Sequence, residues 1–267
     1  MGFFDAAELI SAGCLAGFLS GFFGVEEGLT LIPALLYFYR IEGVSSLVST
    51  QLAIGTSLFV TICAEIVPIW RMWGQKHVLM RAFGFGCVGC ALGALAGGVW
   101  AGSAQGDLLR KLVAGAIFLA VIRLVSGSLK GKGDPEPQLT GPGLLAIGLI
   151  GGCQASLTGV DGSGLVSSLM SAILRVPQKK AAATSKAIAI VGTVVATAAY
   201  LQSGWGNEFA PAGSLGFVDW VRAIPLAVGL IPASLAGAAV STRGISRNLR
   251  RFYAIVLLVI MIRLLLM

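Results

Sequence analysis

Residues 21–33 read GFFGVEEGLTLIP and set two adjacent glutamates, Glu26 and Glu27, inside one of the most apolar regions of the chain. Glycines flank the pair and Pro33 follows. A charge at the centre of a membrane helix costs about 2.5–3.5 kcal/mol even on insertion scales. Two carboxylates at such a place call for a break in the helix, a partner charge or a wet cavity.

The surroundings bear this out at the level of composition. The 267 residues are 56% hydrophobic and 12% charged, with a mean hydropathy of +0.88. Soluble domains carry about 25% charge. Ten apolar segments follow one another: 6–23, 28–40, 45–70, 78–102, 108–129, 141–158, 163–175, 179–204, 217–241 and 248–266. Most reach the roughly 20 residues that cross a hydrocarbon core. No ten-residue alternation suggests an outer-membrane barrel. The chain therefore reads as an all-α polytopic membrane protein whose surroundings are the lipid bilayer. The net charge of +7 lies in short loops and forms no basic stripe, so no nucleic-acid partner is expected. The start, MGFFDAAELIS, has no basic region or small-residue cleavage site and reads as no cleaved signal.

The second and seventh segments are short, and each follows a glycine-rich interruption, GVEEG and GVDGSG. Between the fifth and sixth lies a linker, GSLKGKGDPEPQLTGPG at 127–143, rich in glycine, proline and charge. It divides the chain into a first transmembrane repeat at 1–129, a cytoplasmic connection at 130–140 and a second repeat at 141–267. Shifted by 135 residues, the halves coincide without a gap. Gly24-Val25-Glu26 falls on Gly159-Val160-Asp161, Arg40 on Arg175, Ser49-Thr50-Gln51 on Thr184-Ser185-Lys186, and Trp70 on Trp205. Glu27 falls on Gly162 and has no acidic counterpart.

Loop charges orient the chain, because lysine and arginine collect on the cytoplasmic side. One set of loops holds twelve: Arg71, Lys76, Arg81, Lys130, Lys132, Arg175, Lys179, Lys180, Arg243, Arg247, Arg250 and Arg251. The other holds five: Arg40, Arg110, Lys111, Arg222 and Arg263. The N-terminus is thus expected outside a cell (inner) membrane and the linker inside. Five segments per half make the two repeats inverted, each with a broken or re-entrant helix near the midplane. Segments of that kind line substrate paths in secondary transporters.

GFLSGFFGVEEGLTLIPALLYF with VSTQLAIGTSL, then GVDGSGLVSSLM and RVPQKKAAATSKAIA, resemble the TauE/SafE (TSUP) family of sulfite exporters. Each half of that family opens with a glycine-rich G-[IV]-G-G-G turn, a short apolar run with proline and an A-[TG]-S motif. YLQSGWG is similar to its closing pattern. The resemblance spans almost the whole chain and implies export of sulfite, sulfoacetate or a related sulfur oxyanion. Here the family's usual glycines give way to Glu26-Glu27 and Asp161.

Lys186, seven residues beyond Lys179, is the expected fixed cation for a small anionic substrate. Gln51, Ser49, Thr50, Thr184 and Ser185 are the expected hydrogen-bond donors. Gly24, Gly28, Gly159, Gly162 and Gly164 are the backbone of the helix breaks. Glu26, Glu27 and Asp161 repel a sulfonate and read as coupling or gating groups, as caps of the short helices, or as a structural partner for Lys186. Glu65 is expected to pair with Arg71 or Arg123. His77 has no nucleophile placed to pair with it, and Cys14, Cys63, Cys87, Cys90 and Cys153 read as small packing residues despite the Cys87/Cys90 spacing. No catalytic group, metal or cofactor is expected, and a homo-oligomer is compatible with the sequence. The chain therefore reads as an alternating-access exporter of a small sulfur oxyanion. Its rival is a cation channel or carrier that uses the intramembrane carboxylates.

Overall fold

A computed structural model describes residues 3–74, 78–126, 139–241 and 246–266. Most of the linker at 130–140, His77, Lys76 and Arg243 lie outside the described residues, as does the side chain of Arg71. The described residues form ten helices, one for each apolar segment. They are α1 (Phe3–Phe23), α2 (Gly28–Ile41), α3 (Ser49–Gly74), α4 (Met80–Ser103), α5 (Gly106–Ser126), α6 (Gly141–Thr158), α7 (Ser163–Ala172), α8 (Gln178–Ser203), α9 (Trp220–Ser241) and α10 (Arg247–Leu266). A two-stranded hairpin, β1 (Ser214–Leu215) and β2 (Val218–Asp219), closes the α8–α9 connection.

Six of these helices, α1, α3, α4, α6, α8 and α9, are long and apolar enough to cross a membrane. The protein is a multi-pass membrane protein. Exposed side chains fit that setting: Phe85, Val88, Leu92, Leu95 and Val99 form one apolar stripe along α4 at helical spacing. The short helices have 14 residues (α2) and 10 (α7). At 1.5 Å per residue neither crosses a hydrocarbon core unaided.

Glycine makes both breaks. Gly24 after α1 and Gly159 at the end of α6 each have φ of +67°. Only a residue without Cβ takes that left-handed conformation at no steric cost. The Gly24 N–H returns to Ser20 O at 2.8 Å and the Gly159 N–H to Ala155 O at 2.9 Å, which satisfies terminal carbonyls of the two helices. The chain then turns away instead of extending the helix.

Small residues also set the helix pairing. Gly13, Gly17 and Gly21 on α1 lie directly on the carbonyls of Leu226, Leu230 and Ser234 of α9, where a methyl group would collide. Gly89 and Gly93 of α4 lie likewise on Leu145 and Leu149 of α6, and Gly148 and Gly152 of α6 on Gly86 and Cys90 of α4. In lipid no hydrophobic force drives helices together, so close approach over small residues and the dispersion it gains must do so. First helix therefore packs on fourth across the halves, in both directions, while α3 packs on α8 and α5 on α10. The result is that α3 and α8 are central and bring their buried faces to the two breaks.

Candidate functional site at the junction of two helix breaks

The breaks meet. A methyl group on Gly28 would collide with the carbonyl of Gly159, and the Ser57 hydroxyl of α3 donates to that same carbonyl at 3.3 Å. The Glu26 carboxylate crosses from the first break to the second, where its Oε1 accepts from the Gly164 N–H at 2.8 Å. Arg123 of α5 stands 3.5 Å from the same oxygen. Asp161 accepts from the N–H and the hydroxyl of Ser163, each at 3.0 Å. Two carboxylates thus satisfy the first amides of α7, where unpaired donors and the helix dipole favour negative charge.

Expectation and structure differ here in instructive ways. An acid of the GVEEG turn does cap a short helix, but Glu26 caps α7 of the other half, not α2. Glu27 stands at the start of α2 and makes no side-chain cap. Arg123 pairs with Glu26, not with Glu65. The ion partner of Lys186 is Glu65 of α3, not Asp161. Glu65 is 4% exposed and belongs to the site, although its sequence position suggested only a structural pair.

Lys186 lies eight residues past the first residue of α8, and Glu65 nine before the last residue of α3. At helical rise these are roughly 12 and 14 Å from the respective helix ends. A narrow crevice, too tight to hold a water molecule as it stands, runs between the two helices. Thr61, Ile62 and Glu65 line it from α3, Lys186, Ile190 and Thr193 from α8, and Asp161 from the second break. Thr61 escaped notice in the sequence, yet it stands one turn before Glu65 and so on the same face.

Glu27, Glu65 and Asp161 are all buried, and one carboxylate oxygen of each lies within 4.8 Å of those of the other two. These three are the residues whose chemistry could hold a cation. Lys186 joins them, whereas four of the other five expected donors are engaged elsewhere. Gln51 Nε2 donates to Ala104 O at 2.9 Å, and Thr184 accepts from the Leu79 N–H at 3.0 Å. The Ser185 hydroxyl donates to Ala182 O at 3.0 Å and that of Ser49 to Ser46 O at 3.5 Å. Thr50 is buried beside Gly106, its hydroxyl without a hydrogen-bond partner among the described residues.

Residues 9–264 match the family "Sulfite exporter TauE/SafE". The chain belongs to this family. TauE/SafE proteins are membrane transporters and not a class of enzymes, and this chain is a membrane transporter. It is similar to a "Probable membrane transporter protein" of Haemophilus influenzae, with 24% identity over 250 residues covering 94% of each chain. A "Probable membrane transporter protein MJ0441" of Methanocaldococcus jannaschii is 26% identical over 248 residues, covering 91% of this chain and 88% of its own. The "Probable membrane transporter protein YunE" of Bacillus subtilis is 23% identical over 274 residues, 94% of each chain. No solved structure matches the TauE/SafE chain described here at a significant level.

Proposed function

We propose that this transporter exports a small sulfur oxyanion or organosulfonate, such as sulfite or sulfoacetate, by alternating access at the junction of its two helix breaks. The observation that carries the reading is Lys186, a half-buried fixed cation beside the amide-rich start of α7. Lysine, helix-terminal amides and hydroxyls are the donor set that a tetrahedral or pyramidal oxyanion needs. In the state described, three of these donors are engaged by carboxylates of the protein: Lys186 by Glu65, Gly164 by Glu26 and Ser163 by Asp161. An arriving oxyanion takes their place, and the displaced acids then act as gates. The crossed packing of α1 on α9 and α4 on α6, with matching left-handed glycines at both breaks, is the arrangement that two inverted repeats generate. Rocking one half against the other would expose the site to each face in turn.

A second reading, a cation carrier, is favoured by the excess of three buried carboxylates over one ammonium. The two separate on binding. Thermal shift of the purified protein with sulfite, sulfoacetate, isethionate, taurine and sulfate should show stabilisation by at least one sulfur oxyanion. If none stabilises the protein, the exporter reading fails.

A further inference from the structure

Glu27, Glu65 and Asp161 set three carboxyl groups against the single ammonium of Lys186, and all three side chains are buried, at 7%, 4% and 4% exposure. Lys186 bonds one oxygen of Glu65. Glu65 Oε2 and Glu27 Oε2 have no hydrogen-bond partner among the described residues. An independent group points the same way: the Thr61 hydroxyl is unpartnered too, on a residue 2% exposed that lines the crevice with Glu65 and Asp161. A threonine hydroxyl offers lone pairs to a cation as readily as a proton to an anion. Buried carboxylates without partners must be neutralised, by a cation among them or by a proton.

The geometry points to a site for one dehydrated alkali cation, held by Glu27, Glu65 and Asp161 together with the Thr61 hydroxyl. Three oxygens no more than 4.8 Å apart bring a central ion to within 4.8/√3, or about 2.8 Å, of each. Calcium takes six to eight oxygens and magnesium keeps several waters. A cluster of these four side chains beside a narrow crevice suits neither. The neighbouring ammonium of Lys186 also lowers the charge that the cluster has left to offer, which favours a monovalent ion. The three acids come from the first break, from α3 and from the second break, so a bound cation would tie together the parts that alternate. Lys186 and the cation share Glu65, and occupancy of one site is therefore linked to the other. That link to transport rests on the exporter reading; the cation site itself does not.

The test is thermal unfolding of the purified full-length protein with no sulfur compound present. Choline chloride is replaced at constant ionic strength by sodium, potassium or lithium chloride. At least one alkali cation should raise Tm saturably. The rise should vanish in Asp161→Asn and Glu27→Gln and persist in Glu8→Gln, a change at an exposed site. Thr61→Val, which keeps the shape and removes only an unpartnered hydroxyl, should fold and raise the half-saturating concentration at least threefold. Identical Tm in all salts would overturn the site. So would a response confined to calcium or magnesium, or one that Thr61→Val leaves unchanged. Because no sulfur anion is present, failure of the oxyanion screen leaves this result untouched.

Discussion

Glu26 shows how a single side chain joins the two halves of the protein. It leaves one helix break and satisfies the Gly164 amide in the first turn of the helix that follows the other, with Arg123 beside it. Glu26→Ala leaves that amide without its acceptor and should lower stability by about 0.5–2 kcal/mol, the range for lost helix caps. Glu26→Gln keeps an acceptor oxygen and should lose less, which thermal unfolding of the two variants can rank. Equal Tm for alanine, glutamine and the parent would remove the cap from the account. At this scale the sequence was partly legible. Lys186 and the acids of the two breaks stood out as ionisable residues in apolar surroundings, and they do converge. Their partners did not stand out. The Lys186–Glu65 pair joins residues 121 positions apart, and the rotation of α3 about its axis decides it. Lipid and protein interior are about equally apolar, so hydrophobic pattern gives little hint of which way a helix-borne carboxylate faces.

Helices and breaks were the most legible elements. Segment lengths gave all ten helices, and the glycine-rich interruptions fell where Gly24 and Gly159 turn left-handed. The β1–β2 hairpin was hidden because its two-residue strands are too short to show a period. The polar motifs at 49–51 and 184–185 looked like one donor cluster by their matched spacing. Instead Gln51 reaches the α4–α5 junction and Thr184 the α3–α4 junction. Each serves a neighbouring turn: Thr184 accepts from an amide freed at a helix start, and Gln51 donates to a carbonyl freed at a helix end. Helix pairing makes a sharp prediction. Gly17→Ala and Gly93→Ala put a methyl group against the backbone of α9 and α6 and should lower Tm markedly. Gly115→Ala on α5 meets nothing within 4 Å, and alanine is the better helix former, so its Tm should hold or rise. If all three variants behave alike, close backbone approach is not what holds these helices together.

At the scale of the whole molecule, the division of loop charge, twelve against five, predicts an N-terminus outside and a linker inside. The structure supplies exposed positions with which to check it: Ser46 in the α2–α3 connection, Glu208 in the α8–α9 connection and Thr140 ahead of α6. On a background lacking the five native cysteines, Ser46→Cys and Glu208→Cys should react with a membrane-impermeant maleimide added to intact cells. Thr140→Cys should react only after lysis. The reverse pattern would turn the protein over.

Transport through the junction of the breaks is the central claim, and Lys186 is where it can be tested most directly. Lys186→Met alone strands the buried Glu65 carboxylate, so the informative variant is Lys186→Met with Glu65→Gln, which removes both charges of the pair together. The measurement is efflux of the sulfur oxyanion selected by the binding screen from loaded proteoliposomes. A charge-assisted hydrogen bond contributes roughly 1.5–3 kcal/mol, and about 1.4 kcal/mol is tenfold in affinity. The parent protein should therefore export the anion, and the double variant should need at least about tenfold more of it to reach half its rate. Unaltered half-saturation and rate in the double variant, folded and reconstituted like the parent, would contradict the account.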